Sequence, residues 1–159
     1  KEDLINEENF IKLMKINLIS ISQINNQVIK MKKKKNKCTI IHVSSVASLE
    51  STASIGYSSA KAALNVYSKI LSKKFISKNI FIKNIMLGAF ETDDNSFGRL
   101  RKKNIKAYNN FKKLRLPRKK YASDKDIIPI IEFLINPKSN ILSGNEIITD
   151  FSELNSFRN

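Results

Sequence analysis

Cysteine, histidine, proline and glycine are scarce in this chain of 159 residues, which has one, one, three and four of them. The lone Cys38 excludes an intrachain disulfide framework and a cysteine-based zinc site, and the lone His42 excludes a multi-histidine metal site. No two glycines are neighbours, so the chain contains no glycine-rich turn. No apolar run approaches the ~20 residues of a membrane span, and no signal peptide is visible. We expect no metal and a reducing, cytoplasmic setting.

The length and the hydrophobic content of 42% suit one core of ordinary size, so we expect residues 1–159 to form a single domain. The sequence begins with Lys1, inside a helical pattern and not at a methionine. We therefore expect a truncated start.

Acidic residues are also few, with 14 Asp+Glu against 29 Lys+Arg, which gives a formal net charge of +15. Such an excess can indicate binding to nucleic acid, a membrane surface or an anionic substrate. Because most of the positive charge is lysine and isoleucine and asparagine are abundant, the bias of an AT-rich genome explains it more simply. The lysine-rich segment 30–37 has no interleaved aromatic residue, which favours a solvated connector over a nucleic-acid patch.

Apolar periodicity divides the chain into helices and short strands. The helical segments are 8–30, 57–78 and 124–135, with a further helix expected around 97–113. The strand segments are 38–43, 80–88 and 145–149. Their alternation indicates a parallel sheet covered by helices, so the fold class is α/β. Ligands of such sheets bind beyond the carboxyl ends of the strands, where loops 44–56 and 88–96 lie.

Two apolar stripes predict the buried faces of the first two helices. The first stripe consists of Phe10, Met14, Leu18, Ile21, Ile24 and Val28. The second consists of Ala62, Ala63, Val66, Ile70, Leu71 and Phe75.

Tyr57 and Lys61 stand one helical turn apart in the sequence GYSSAK, at a predicted helix start. Positions i and i+4 share a helix face. A nearby ammonium favours the phenolate, which lowers the pKa of a tyrosine from about 10 and lets it exchange a proton near neutral pH. The spacing alone is common, and two ordinary surface residues are the simpler interpretation. The position of Tyr57 and Lys61 after a serine-rich loop favours the interpretation that the pair exchanges a proton with a ligand.

The segments IIHVSSVAS, GYSSAKAALNVYSKILSKKF and IFIKNIMLGAFETD follow one another in this order. They resemble the C-terminal portion of a short-chain dehydrogenase/reductase, in which a serine loop ends one strand, Tyr-x-x-x-Lys opens the next helix, and Pro-Gly-x-x-x-Thr follows the next strand. The segment RLPRKKYASDKDIIPIIEFLINPKSNILSGNEIITD resembles the tail of that family. The resemblance implies a Rossmann-like parallel sheet and an oxidoreductase that uses NAD or NADP.

The resemblance assigns four catalytic positions. Tyr57 is expected to be the general acid and base, and Lys61 to lower its pKa and bind the nicotinamide ribose. Ser45 is expected to position the substrate carbonyl. Asn17, in KINLIS, is expected to hold a water in the proton relay. Taken alone, Asn17 is equally well explained as a polar residue of an amphipathic helix.

The same resemblance assigns residues to the cofactor. Those expected to contact NAD or NADP are Tyr57, Lys61, Leu87, Gly88, Ala89 and Thr92. Thr92 matches a threonine that contacts the nicotinamide carboxamide. Gly88 matches a glycine that lets the backbone approach the cofactor.

Four departures from the family pattern bear on these assignments. Ser44 competes with Ser45, because many relatives have one more residue before the tyrosine. Leu87 replaces a proline, and Phe151-Ser152 replaces a common pair of glycines. The glycine-rich turn that places a pyrophosphate at a helix N-terminus has no counterpart. We therefore expect the first strands and the cofactor-holding half to be missing from this sequence.

The leading hypothesis is an NAD(P)-dependent oxidoreductase that reduces a carbonyl or oxidises an alcohol once a dinucleotide-binding half is supplied. The alternatives are a catalytically inactive remnant or oligomerisation subunit, and a basic nucleic-acid-binding module. In the family, the helix bearing Tyr-x-x-x-Lys commonly packs against a partner subunit. A homodimer or homotetramer is therefore expected, through the surface of Ala62 and Ala63.

The substrate is less constrained by the sequence. Residues 93–120 are expected to form a lid, whose basic residues suit an anionic group of a small-molecule substrate. They include Arg99, Arg101, Lys102, Lys103, Lys112, Lys113, Arg115 and Arg118. A solvated basic face explains them equally well. The tail also resembles reductases encoded with sugar-modification genes, which points to a sugar or polysaccharide precursor.

Overall fold

The computed structural model describes residues 6–51 and 53–155. The helices are α1 (Glu7–Met14), α2 (Ser20–Met31), α3 (Ile55–Phe75), α4 (Ser96–Lys103), α5 (Ile105–Arg115) and α6 (Asp124–Ile135). The strands are β1 (Cys38–Ser45), β2 (Ile80–Leu87) and β3 (Glu146–Thr149). A π-helical turn, Lys15–Ile19, joins α1 to α2, and 3₁₀ turns span Val46–Ser48, Ile76–Lys78 and Pro137–Leu142.

In the described part of the chain the three strands form one parallel sheet in the order β1-β2-β3. Helices α2 and α3 cover one face of the sheet, and α6 covers the other. The register sets Ser45 opposite Leu87, so β1 and β2 end at the same edge. The prediction of an α/β fold with a parallel sheet is confirmed, and the loops after β1 and β2 lie side by side.

The π-helical turn changes which face of the first long helical segment is buried. A π turn holds about one residue more than an α turn, so the residues after it are rotated relative to an unbroken α-helix. Phe10 and Met14, before the turn, are partly buried as predicted. Ile24 and Val28, after it, are 62% and 36% exposed, and Asn25 is buried at 3%. The predicted stripe is therefore wrong at Ile24 and Val28, whereas Ile21, just after the π turn, is partly buried.

Helix α3 buries a largely polar face. Val66 and Ile70, both in the predicted stripe, are 60% and 62% exposed. The buried face instead includes Lys61, Asn65 and Ser68. The prediction failed at Val66 and Ile70 because each of these polar side chains finds hydrogen-bond partners within the fold, and paired polar groups can be buried. Leu71, in the same stripe, is buried at 8% as predicted.

His42 belongs to a hydrogen-bonded layer between β1, α2 and α3. The amide of Asn25 donates to its Nε2 at 2.8 Å, and Ser68 Oγ lies 2.6 Å from its Nδ1. Since the Ser68 hydroxyl donates to the carbonyl of Leu64, Nδ1 must carry the ring proton. Burial, followed by the charge of Lys61, lowers the pKa of His42 to about 4. The interpretation of His42 as a packed residue of the strand is confirmed.

Lys83 ties the end of α6 to the sheet. Its side chain is fully buried, and Nζ donates to the carbonyl of Leu134 at 2.5 Å, to Ser139 Oγ at 2.7 Å and to Asn140 Oδ1 at 3.2 Å. Burial lowers the pKa of this lysine. The three oxygens replace the water that the ammonium loses on burial.

The C-terminal part of the fold begins as predicted and ends under strain. Ser123 and Asp126 form a capping box at the start of α6, which continues through Pro129. After β3, Phe151 and Ser152 have φ values of 50° and 64°. A side chain in the left-handed region costs roughly 1–2 kcal/mol per residue, so this turn is held by its surroundings.

We predict that His42 makes the fold sensitive to acid. The unfolded chain takes up a proton as the pH falls through about 6.5, whereas the folded chain resists protonation until about 4. The contribution of the neutral His42 to the free energy of unfolding is therefore fully present above pH 6.5. It is lost as the pH falls from 6.5 to 4, by about 3 kcal/mol in total. Urea denaturation of the wild type and His42→Gln at pH 7 and pH 4.5 measures the loss, and carboxylates common to both proteins cancel. A histidine ring that titrates near pH 6.5 by NMR would contradict the prediction.

Candidate active site

A cavity of about 610 Å³ opens beyond the carboxyl ends of β1 and β2. Its walls come from α1 and the π turn, the ends of both strands, the first turns of α3, and parts of α4 and α5. The residues predicted to be catalytic all line it: Asn17, Ser45, Tyr57 and Lys61. The structure therefore brings together residues that are far apart in the sequence, at the sheet edge where a ligand is expected.

The two candidate serines have different environments. Ser44 is 2% exposed, and its hydroxyl donates to Asn65 Oδ1 at 2.5 Å, which ties β1 to α3. Ser45 Oγ accepts a hydrogen bond from the backbone N–H of Ala47 at 3.2 Å and is hydrogen-bonded to the side chain of Tyr57. Only Ser45 combines a place in the cavity wall with contact to the phenol, so the geometry favours it over Ser44.

Tyr57 and Lys61 face the same way from the start of α3. The hydroxyl of Ser54, the N-cap, accepts from the N–H of Tyr57 at 3.4 Å, so Tyr57 lies in the first turn of the helix. Lys61 Nζ lies 5.6 Å from the centroid of the Tyr57 ring and donates to the carbonyl oxygen of Val43 at 2.8 Å. The lysine is 8% exposed. One buried ammonium thus contacts both the tyrosine and the end of β1.

The net pKa of Tyr57 is raised in this structure, whereas the Tyr57–Lys61 spacing predicts a lowered value. Burial raises the pKa of the phenol, and the hydrogen bond with Ser45 opposes that shift without cancelling it. Burial also lowers the pKa of Lys61. Both shifts have one cause, because the charged forms lose water in the cavity wall. Tyr57 is therefore a neutral phenol at physiological pH and has a proton to donate.

Asn17 lies in the π-helical turn between α1 and α2. Its Nδ2 donates to the carbonyl oxygen of Leu13, four residues earlier in α1, at 3.0 Å. π turns often mark functional positions in helices. The side chain lines the cavity together with Leu13, so the local irregularity and the predicted site residue coincide.

The end of β2 supplies the cavity residues Leu87, Gly88 and Ala89. A Cβ on Gly88 would lie 2.8 Å from both the Cα of Asp150 and the Glu153 carboxylate. These neighbours explain why glycine stands there. The N–H of Ala89 donates to Glu153 Oε2 at 2.6 Å, and burial raises the pKa of that carboxyl. Sequence reasoning missed Glu153, which no motif marks.

Thr92 is separated from the other predicted cofactor residues. It is exposed and is not among the residues that line the cavity. Its carbonyl oxygen instead lies against Gly98 of α4, where any Cβ would clash with it. Gly98 therefore lets α4 pack closely on the segment that follows β2.

The predicted lid is two helices and not a loose loop. Asn104 separates α4 from α5 and caps the latter by accepting from the N–H of Ala107 at 2.9 Å. Beneath them lies an aromatic cluster formed by Phe97, Tyr108, Phe111 and Tyr121. Aromatic packing of this kind gives the lid a core of its own.

One ion pair joins the lid to the serine loop. Arg115, the last residue of α5, lies 2.5 Å from the carboxylate of Glu50, and the two side chains are 26% and 10% exposed. The other oxygen of Glu50 accepts from the N–H of Asn155 at 3.1 Å. Glu50 therefore ties the serine loop, the lid and the C-terminal segment together. Sequence reasoning missed its role.

The residues that the structure describes contain neither a membrane-spanning helix nor a cluster of metal ligands. No helix among them is long and apolar enough to cross a membrane. No group of three or more His, Cys, Asp or Glu side chains within 6–51 and 53–155 could hold a metal ion.

The fold puts this chain in the class of Rossmann-like α/β proteins. The sequence model of the short chain dehydrogenase family matches residues 2–102, and the chain belongs to that family. It is 23% identical over 146 residues to the 3-oxoacyl-[acyl-carrier-protein] reductase FabG of Vibrio cholerae, a match that covers 89% of this chain and 56% of that protein. The predicted family resemblance is confirmed.

Solved structures share the fold. The L-sorbose reductase of Gluconobacter frateurii, complexed with NADPH and L-sorbose, superposes with a TM-score of 0.86 at 20% identity, over 99% of this chain and 62% of that one. A 4-hydroxyisoleucine dehydrogenase complexed with NADH gives a TM-score of 0.84 at 22% identity, over 96% and 62%. The chain thus spans about three fifths of the length of these relatives.

The cavity residues suit the nicotinamide end of a dinucleotide. An ammonium has three N–H donors, and among the described residues the hydrogen bond of Lys61 Nζ is to Val43 alone. Two donors therefore face a cavity that also holds the Tyr57 hydroxyl, which is a suitable donor set for ribose oxygens. The sequence has no glycine-rich turn for a pyrophosphate.

Proposed function

We propose that this chain carries the proton-transfer half of an NAD(P)-dependent oxidoreductase that interconverts a carbonyl and an alcohol. The observation that supports this most strongly is the convergence of Ser45, Tyr57 and Lys61 on one cavity at the carboxyl edge of the sheet. Membership of the short chain dehydrogenase family is consistent with it. We propose that residues 1–159 act as one domain, in the cytoplasm.

The raised pKa of Tyr57 suits the direction of carbonyl reduction. Negative charge develops on the carbonyl oxygen as the carbon is reduced, and a proton donor beside that oxygen stabilises it. Tyr57 supplies the proton as a neutral phenol, and Ser45, already hydrogen-bonded to it, orients the carbonyl oxygen. When bound, the nicotinamide supplies the hydride.

Lys61 acts after the proton has left. The phenolate that remains on Tyr57 is stabilised by an ammonium 5.6 Å from the ring centroid, in surroundings that screen little. Lys61 also offers its free N–H donors to the nicotinamide ribose. We propose that Asn17, which lines the same cavity, holds a water from which the tyrosine regains its proton.

Turnover needs a pyrophosphate-binding turn that this sequence does not contain. We propose that a strand, a glycine-rich turn and a helix, from the same protein or from another chain, supply this pyrophosphate-binding turn. The proposed cofactor is NAD or NADP. A sugar or polysaccharide precursor is the proposed substrate class. The sugar-bound reductase that shares the fold at a TM-score of 0.86 is consistent with that class.

We also propose that the chain assembles through α3 as a homodimer or homotetramer. The outer face of this helix exposes Val66 and Ile70 at 60% and 62%, which is unusual for two neighbouring aliphatic side chains on one helix face. Sedimentation equilibrium should show dimers or tetramers of the wild type and a shift towards monomer for Val66→Glu. Lys69→Glu, an exposed change on the same helix, is the control. A monomeric wild type would contradict the proposal.

Replacing Tyr57 by Phe tests the proposed function. The change removes the proton donor and leaves the ring, so it should lower kcat by about 10²–10⁴-fold while dinucleotide affinity changes little. The measurement uses the chain joined to a glycine-rich dinucleotide-binding half, with NADH and NADPH and a panel of carbonyl substrates. Tyr67→Phe, on the same helix but outside the cavity, should keep its activity. Near-normal turnover by Tyr57→Phe would rule out the assigned proton donor.

A further inference from the structure

Three arginines of the lid already have carboxylate partners. Arg101 lies 2.7 Å from Glu91 and 2.9 Å from Asp93, and Arg115 pairs with Glu50. Arg118 lies 3.7 Å from Asp126, and its guanidinium stacks on a phenylalanine ring. These three side chains stabilise the lid and its contacts, so their charges have a structural role.

Arg99 is different, because it faces the catalytic cavity. Of the eleven basic residues between 93 and 120, it is the one that lines the same cavity as Ser45 and Tyr57. It lies in the first turns of α4, and one guanidinium nitrogen donates to the backbone carbonyl of Asp94. No carboxylate within the described parts of the chain forms a salt bridge with it. The charge of Arg99 is therefore uncompensated by a neighbouring side chain.

The other charges of the cavity wall are engaged by the protein. Lys61 Nζ donates to Val43, and the Glu153 carboxylate accepts from the N–H of Ala89. Much of the remaining wall is apolar, with Phe90, Phe97 and other large side chains among the lining residues. Since the free N–H donors of Lys61 are assigned to the nicotinamide ribose, Arg99 is the cation left for the substrate. A largely apolar cavity with this guanidinium suits a ligand that has a carbon skeleton and one anionic end.

We infer that Arg99 selects substrates that carry an oxyanion, a carboxylate or a phosphate, in addition to the carbonyl group. This inference rests on the proposed function, since it names the substrate class of the same cavity. A guanidinium binds either oxyanion through two parallel N–H donors, which fixes orientation as well as adding affinity. With the anion held at α4, the rest of the substrate extends towards Ser45 and Tyr57.

Matched probe pairs test this inference by binding and not by turnover. The probes are 4-oxopentanoate with the neutral 4-oxopentanamide, and dihydroxyacetone phosphate with dihydroxyacetone. Titration of the chain by ligand-observed NMR should show at least one anionic probe binding about tenfold more tightly than its neutral partner, as expected for a charge-assisted hydrogen bond. The pair that shows the larger preference distinguishes a carboxylate from a phosphate.

Two variants test whether Arg99 causes the preference for the anionic probe. Arg99→Gln should reduce it to about threefold or less, whereas Lys102→Gln should retain it, because Lys102 lies on the same helix and its loss changes the net charge equally. Equal loss in both variants, an unchanged preference in Arg99→Gln, or no saturable anionic binding by the wild type would overturn the inference. Failure here leaves the turnover test of Tyr57 unaffected, and an inactive Tyr57→Phe should keep the anion preference.

Discussion

The hydrogen bond from the Lys61 ammonium to the carbonyl oxygen of Val43 positions the candidate site. It joins the first turns of α3 to the end of β1, and the same ammonium lies against the ring of Tyr57. A buried ammonium is destabilising unless it is paired. Because the partner of Lys61 is the Val43 carbonyl oxygen, this hydrogen bond holds α3 against the end of β1. The position of Tyr57 relative to Ser45 follows from that contact.

A second set of polar contacts surrounds the cavity. Glu50 joins the serine loop to Arg115 of the lid and to the backbone of Asn155. Glu153 occupies the N–H of Ala89 at the end of β2. These two carboxylates hold the C-terminal segment close to the sheet. Their contacts account for the tolerance of the left-handed backbone at Phe151 and Ser152, just before Glu153. Glu50 and Glu153 therefore connect the serine loop, the lid and the C-terminal segment, which are distant in sequence, around the cavity.

The sequence predicted those features that depend on local spacing. Alternating helices and strands gave the parallel sheet, and Tyr57 and Lys61 at i and i+4 gave the shared face. Spacing failed where the backbone departs from regular geometry, as at the π turn, after which Ile24 is exposed and Asn25 is buried. It also failed for Glu50 and Glu153, whose partners lie far along the chain. The acidity of Tyr57 was misjudged because desolvation depends on burial, which one helical turn of sequence does not reveal.

The proposed chemistry depends on a phenol that stays protonated at physiological pH beside a carbonyl-binding serine. The most direct test is the pH titration of Tyr57 in chain labelled with ¹³C at the tyrosine ring, with its NMR signal assigned from the spectrum of Tyr57→Phe. We expect Tyr57 to titrate above 10, the ordinary pKa of tyrosine, because burial outweighs its hydrogen bond with Ser45. A Tyr57 signal that titrates below 10 would contradict the raised pKa, and one that titrates at about 7 or lower would also contradict the neutral proton donor and would restore the lysine-activated phenolate.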